Sequence, residues 1–255
     1  TAVIGAGVFI SQPAHAFMGY WYDYNSDWIQ QDIMRRTFEN HNRVFGNNTN
    51  NNSSSGKSSS SKSTGSSKSK SSSSQTSSKP KPVKKAKITF KSDGSTRGLD
   101  YLVNKYPSKQ RGEARIYLKK MYDSFPQVAR SVGIPTNDLS TGMAALVAGA
   151  YMAYNNVSLN DDYMKPLQKQ FKEAFESVSD YDKMSDSDKK YLYDQMVILG
   201  MTLTLTEYEN QQNPNSKTTA DLRKAGKDIL EGMFGVDASQ IKITSSGLSI
   251  WTTHN

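Results

Sequence analysis

Residues 137–156 read NDLSTGMAALVAGAYMAYNN, the longest nearly uncharged apolar run in the chain. Asn137 and Asp138 offer side-chain oxygens that start a helix. After Ser140 and Thr141, no strongly polar side chain interrupts the run before Asn155. A segment that is apolar all round and rich in helix formers predicts a helix buried on most of its faces. Ala145, Gly149 and Ala153 recur every fourth residue, so one face is small and lets a neighbouring backbone come close. Met143, Leu146, Val147, Tyr151 and Tyr154 supply bulk elsewhere. The run is too short and too well capped for a membrane span, and it reads as the central helix of an all-helical domain.

The flanking segments show helical periodicity. Residues 99–106 form a short helix that stops before Pro107, after an irregular stretch over 88–98 with an Asp93-Gly94 turn. Residues 111–124 are amphipathic, with Ile116, Leu118, Met121, Tyr122 and Phe125 inward. Pro126 is expected to kink or restart that helix, which ends near Gly133 and Pro135. Asn160 caps the next, with Asp161 and Asp162 in its first turn. It presents Tyr163, Leu167, Phe171 and Phe175 and tolerates Pro166 near its start. Ser185 and Asp188 resemble a capping box and open a helix through Tyr191, Leu192, Met196, Leu199, Leu203 and Leu205, which turns polar and stops before Pro214. Thr218 and Asp221 open the last long helix, through Leu222, Ala225, Ile229, Leu230, Met233 and Phe234 to Gly235. Around Ser245-Ser246-Gly247, Ile241, Ile243, Leu248 and Ile250 alternate as in a small hairpin. No repeat of fixed period argues for a solenoid. The predicted fold class is all-α: a compact helical bundle of about five to six helices over residues 88–255, with a short C-terminal β-hairpin, preceded by a disordered linker.

The N-terminal third breaks this pattern. Residues 1–16 hold an apolar run, Ala2 to Ile10, then Ser-Gln-Pro, then Ala14-His15-Ala16. Small residues at −3 and −1 below a helix breaker match a signal-peptidase site, with the basic leading segment missing. The expectation is export, to the periplasm or beyond the cell. Residues 17–46 are aromatic-rich, and Ser26 can cap a helix over 27–44 with Ile29, Ile33, Met34 and Phe38 as its stripe. Two readings stand. The helix packs on the main domain, or Tyr20, Trp21, Tyr22 and Trp28 form a stacking surface for a glycan or protein partner. Residues 47–87 are an Asn-, then Ser/Lys-, then Lys/Pro-rich linker. Before Val83 it has no large apolar side chain with which to offset its ordering entropy. A flexible chain of that length spans roughly 35 Å.

Charge follows the same division. The protein has 255 residues and a net charge of +8. The linker holds nine lysines and no acid. Residues 1–46 hold three arginines and four acids, and residues 88–255 hold twenty bases and twenty acids. The basic character therefore belongs to the linker and not to a folded face, which excludes a base-reading nucleic-acid domain. The linker is a passive spacer or a sequence-independent, salt-sensitive polyanion contact through Lys79, Lys81, Lys84, Lys85 and Lys87.

Three segments, GIPTNDL at 133–139, AGAYMAY at 148–154 and QMVILGM at 195–201, resemble a family of exported bacterial proteins classed only as a domain of unknown function. The resemblance covers about 117–250. It implies a signal peptide, a variable low-complexity linker and a helical C-terminal domain, and it carries no activity.

Candidate chemistry is sparse. The absence of cysteine removes disulfides, thiolate catalysis and thiolate metal sites. Of the three histidines, His15 leaves with the signal, His41 lies beside the linker, and His254 is next to the last residue. A serine triad has no base. Asp180, Asp182, Asp186 and Asp188 suggest calcium, but counting from Asp180 puts Met184 at position five, with no glycine at six or glutamate at twelve. Glu113, Glu173, Glu176, Glu207 and Glu231 sit on helix positions where a solvated face is the default, so a glycosidase pair cannot be singled out. Gly142, Gly149 and Gly200 fit close helix packing, and seven tyrosines from Tyr151 to Tyr208 fit core positions or one shared groove. The reading is an exported, non-enzymatic binding or structural module without cofactor, whose partner is an unknown envelope component or a protein. The alternatives are an envelope glycan hydrolase using helix-borne carboxylates and a polyanion-binding surface protein.

Overall fold

The computed structural model describes residues 84–251. The expectations for the signal, the aromatic segment and most of the linker lie outside the described residues. Within them are six α-helices and one hairpin: α1 (Arg97–Asn104), α2 (Arg111–Ser131), α3 (Leu139–Asn155), α4 (Met164–Glu176), α5 (Asp186–Gln212), α6 (Ser216–Phe234), β1 (Ile241–Thr244) and β2 (Gly247–Ile250). This is the helical bundle with a C-terminal hairpin that the periodicity predicts.

α3 is the hub. Fourteen of its seventeen residues are buried, and α4, α5 and α6 pack around it. Asp138 caps its start by accepting from the Ser140 N–H, and Asn156 ends it in the left-handed region at φ 55°. The small face does what its spacing suggests. A Cβ placed on Gly149 would lie 2.5 Å from the Gly200 carbonyl oxygen, and one on Gly200 would overlap the Ala145 carbonyl. α3 and α5 thus touch backbone to backbone. Gly226 on α6 makes the matching approach, against the Ala150 carbonyl and the backbone of Tyr154.

α2 departs from expectation twice. Pro126 sits inside one helix rather than restarting it. Met121, Phe125 and Ala129 are all buried, so the four-residue spacing of the inner face runs straight across the proline and its burial carries the helix on. Ile116 is not inward: it is 73% exposed. The inner face is set by Ala114, Leu118, Met121 and Phe125, and at ~100° per residue Ile116 falls on the far side. Two starts also shift. Asn160 caps a 3-10 turn over Asp161–Tyr163, and the α-helix proper follows. α6 begins at Ser216, with Asn215 as cap accepting from the Thr218 N–H.

The segment ahead of α1 is an extended strap. Ala86, Ile88 and Phe90 are buried in alternation with exposed neighbours, the period-two pattern of a strand. The Ala86 N–H donates to the Glu176 carbonyl (2.9 Å), the Phe90 N–H to Asn137 (3.1 Å), and the Leu139 N–H to Ile88 (3.1 Å). Thr89 forms an antiparallel bridge with Asp138. The strap therefore begins inside the stretch read from composition as linker. At the other end, β1 and β2 pair Ile241 with Ile250 and Ile243 with Leu248. Gln170 on α4 clamps the hairpin by accepting from the Leu248 N–H (2.6 Å) and donating to its carbonyl (2.9 Å).

Candidate functional site

Three buried carboxylates stand out, because an uncompensated ion is costly to bury. Asp138 accepts from both the N–H and the hydroxyl of Ser140, whose Oγ accepts from Gln168 Nε2 at 2.8 Å. Asp194 pairs with Lys190 one turn earlier on α5, and both side chains are almost wholly enclosed. The Lys190 ammonium also lies 5.0 Å from the Tyr122 ring centre. Glu207, 2% exposed, accepts from Gln211 Nε2 at 3.0 Å, and Gln211 in turn accepts from the Ser158 hydroxyl at 2.8 Å. Burial raises the pKa of all three; Ser140, Lys190 and Gln211 respectively pull back against it. Among the described residues, Asp194 Oδ1 and Glu207 Oε2 have no hydrogen-bond partner.

Glu207 corrects the sequence reading, which put it on a solvated face. The polar tail of α5 turns inward against α6, where Arg223 supplies a distant counter-charge and Asn210 donates to Thr219. The spacing of these acids limits their joint chemistry. Asp194 and Glu207 share one helix and are separated by ~20 Å of it, whereas a glycosidase pair stands about 5 to 10 Å apart. Of the other acids considered, Glu113 and Glu173 are exposed, Glu176 pairs with Lys85, and Glu231 accepts from the Ala238 N–H.

The aspartates read as a calcium candidate have local roles. Asp182 accepts from the Lys87 N–H (2.7 Å) and Asp186 from the Lys91 N–H (3.0 Å), pinning the strap. Asp188 pairs with Arg97, and Asp180 with Lys183. The tyrosines are dispersed rather than gathered. Tyr181 and Tyr193 are buried, Tyr208 is 41% exposed, and Tyr191 stacks edgewise on Tyr101 with Arg97 over its ring.

Among the described residues there is also a concave surface, an open groove of about 840 Å³. Tyr154 from the end of α3 and Pro214 and Asn215 from the α5–α6 connection form one side. Ser216, Thr219, Arg223, Lys224 and Lys227, on one flank of α6 with Ala220, form the other. Three bases line it and no acid does. The sequence reading missed this site. Its signal was the recurrence of Thr219, Arg223 and Lys227 at four-residue spacing, which only the neighbouring Tyr154 turns into a groove.

Of the residues singled out from sequence, Tyr20, Trp21, Tyr22, Trp28, Lys79 and Lys81 lie outside the described residues. Lys84 is exposed. The Lys85 ammonium is 2.8 Å from Glu176, and that of Lys87 is 3.8 Å from Asp186. The structure thus draws these last two onto the bundle and not toward the groove.

A family model matches residues 5–251, nearly the whole chain. The chain belongs to DUF6683, a family of unknown function. The DUF6683 match takes in the low-complexity stretch as well as the bundle, and so reaches well beyond the 117–250 segment of the sequence resemblance. No curated protein and no solved structure matches the chain. Among the described residues, no helix is long and apolar enough to cross a membrane.

Proposed function

We propose that the chain is an exported bacterial binding or structural module with no catalytic centre of its own, carried on a basic, disordered tether. The observation that carries this reading is the strap. Ala86, Ile88 and Phe90 enter the core, while Lys85, Lys87 and Lys91 are held by Glu176, Asp182 and Asp186. The basic tract is thus built into the fold at its C-terminal end, as a tether must be if it is to hold the bundle at a fixed point. The buried acids support the non-catalytic part, since each is tied to a cap, an ion pair or an amide. Export rests on the Ala14-His15-Ala16 site below an apolar run.

Limited proteolysis of the secreted full chain tests the reading. The expected products are a mature N-terminus at Phe17 and a resistant fragment that starts at Lys84 or Lys85 and keeps the parent melting temperature. A resistant fragment starting beyond Phe90, or retention of residues 2–16, overturns it. A second reading, polyanion contact through the tract, is supported by its nine lysines without an acid. It falls to Lys79, Lys81 and the lysines before them, because Lys85 and Lys87 lie against the domain's own Glu176 and Asp186.

A further inference from the structure

The groove beside α6 has a chemistry that the tethered module leaves unused. We propose that it binds a stretch of acidic polysaccharide. Ser216 to Lys227 runs along one flank of α6 for about 16 Å, so the groove is elongated, suiting a polymer rather than a single small ion. Its lining is mostly apolar and includes Tyr154, Pro214 and Ala220. A sugar ring offers C–H faces that lie on such a surface, and an aromatic ring loses little freedom in receiving them. The Tyr154 hydroxyl hydrogen-bonds to none of the described residues, and Ser216 and Asn215 also line the groove, Asn215 with its amide oxygen held as the α6 cap. These are partners for sugar hydroxyls.

The bases supply the charge preference. Arg223 is exposed and donates no hydrogen bond to a described residue, so its planar fork is left to meet a carboxylate or sulfate. Lys224 pairs with Asp228 and Lys227 with Glu231. Both are exposed i, i+4 pairs, which contribute little and exchange partners readily. Asp228 and Glu231 are not on the groove lining but stand 2.5 Å and 3.8 Å from the Lys224 and Lys227 ammonium groups, so the preference for an anion rests first on Arg223. An acidic peptide is the competing occupant, and the polyglutamate arm of the test separates the two.

The test uses the full chain with the six lysines from Lys57 to Lys81 changed to glutamine, which silences the tether. Its binding to polygalacturonate is followed by calorimetry at low salt. The expected result is measurable binding that falls about tenfold in R223Q/K224Q/K227Q, whose melting temperature stays at the parent value, and about threefold in Arg223→Gln alone. Lys217→Gln, on the same helix but outside the groove, leaves the affinity unchanged. Uncharged dextran does not compete. Polyglutamate or single-stranded DNA of matched charge binds several-fold more weakly. No binding by the tether-silenced chain, unchanged affinity in both groove variants, or equal binding of polyglutamate or DNA overturns the proposal. Each of those results leaves the tethered-module reading to its own proteolysis test.

Discussion

Gly200→Ala is the sharpest test of how the bundle is assembled. Gly200 lies in the middle of α5, where Gly to Ala ordinarily stabilises a helix by ~1 kcal/mol. Here the added methyl would overlap the Ala145 carbonyl and approach Leu146 N to 2.7 Å. Both obstacles are backbone, so no side chain can swing aside. The two helices must separate by somewhat under 1 Å. α3 cannot simply slide away, because α4 and α6 hold its other faces. A gap of that size forfeits a quarter to a half of each dispersion contact along the seam. Overpacking of this kind costs ~1–3 kcal/mol, and with fourteen of the seventeen α3 residues buried the upper end of that range applies. After the propensity gain is subtracted, the net loss is about 2 kcal/mol. For a domain of this size that lowers Tm by ~4–8 °C. Urea and thermal unfolding of the full chain, followed by helical circular dichroism, measure it. Gly232→Ala is the control: it is helical, exposed, and a Cβ there meets nothing within 4 Å, so it should gain up to ~1 kcal/mol. If Gly200→Ala matches the control, α3 and α5 do not touch as described.

Three further outcomes are expected. Lys190→Met leaves Asp194 charged, buried and unpaired, and should cost ~3–5 kcal/mol, while Lys190→Met/Asp194→Leu recovers most of it in the same urea titration; equal losses in both refute a buried pair. Phe90→Ala removes a strap anchor that is 5% exposed and should cost ~3–5 kcal/mol; a loss under ~1 kcal/mol would mean that the strap is not part of the core. Burial raises the folded-state pKa of Glu207 above its unfolded value, so the folded state takes up the proton first. Stability from this group therefore rises as pH falls through the raised folded pKa toward the ordinary carboxylate value, and is absent above it. Glu207→Gln should stabilise the protein at neutral pH and erase that part of its pH dependence; an unchanged pH profile refutes the assignment.

Much of the fold was legible because periodicity and caps agreed. Asp138, Ser185 and Gly235 mark helix ends in sequence and in structure, and the Ala145/Gly149/Ala153 spacing announced a close neighbour. What stayed hidden depended on which face of a helix meets a partner. Lys190 and Asp194 look like an ordinary solvated i, i+4 pair until α1 and α2 cover them. Gly98 shows how tightly: a Cβ there would come within 2.6 Å of Asp194 Cβ. Glu207 reads as part of a polar helix tail, but α6 folds back over it. The strap was masked by composition, since lysines dominate residues 84–91 and hide the alternation of Ala86, Ile88 and Phe90. The groove was invisible for a similar reason: its bases come from one helix and its tyrosine from another seventy residues away.

Amide hydrogen exchange on the full chain tests most directly that the basic tract is sewn into a bundle built on α3. The Ala86 and Phe90 amides should exchange with protection approaching that of Leu146 and Val147 in α3, and the Leu139 amide should behave as they do. Exchange of Ala86 and Phe90 at the rate of an open chain, while α3 stays protected, would contradict the account.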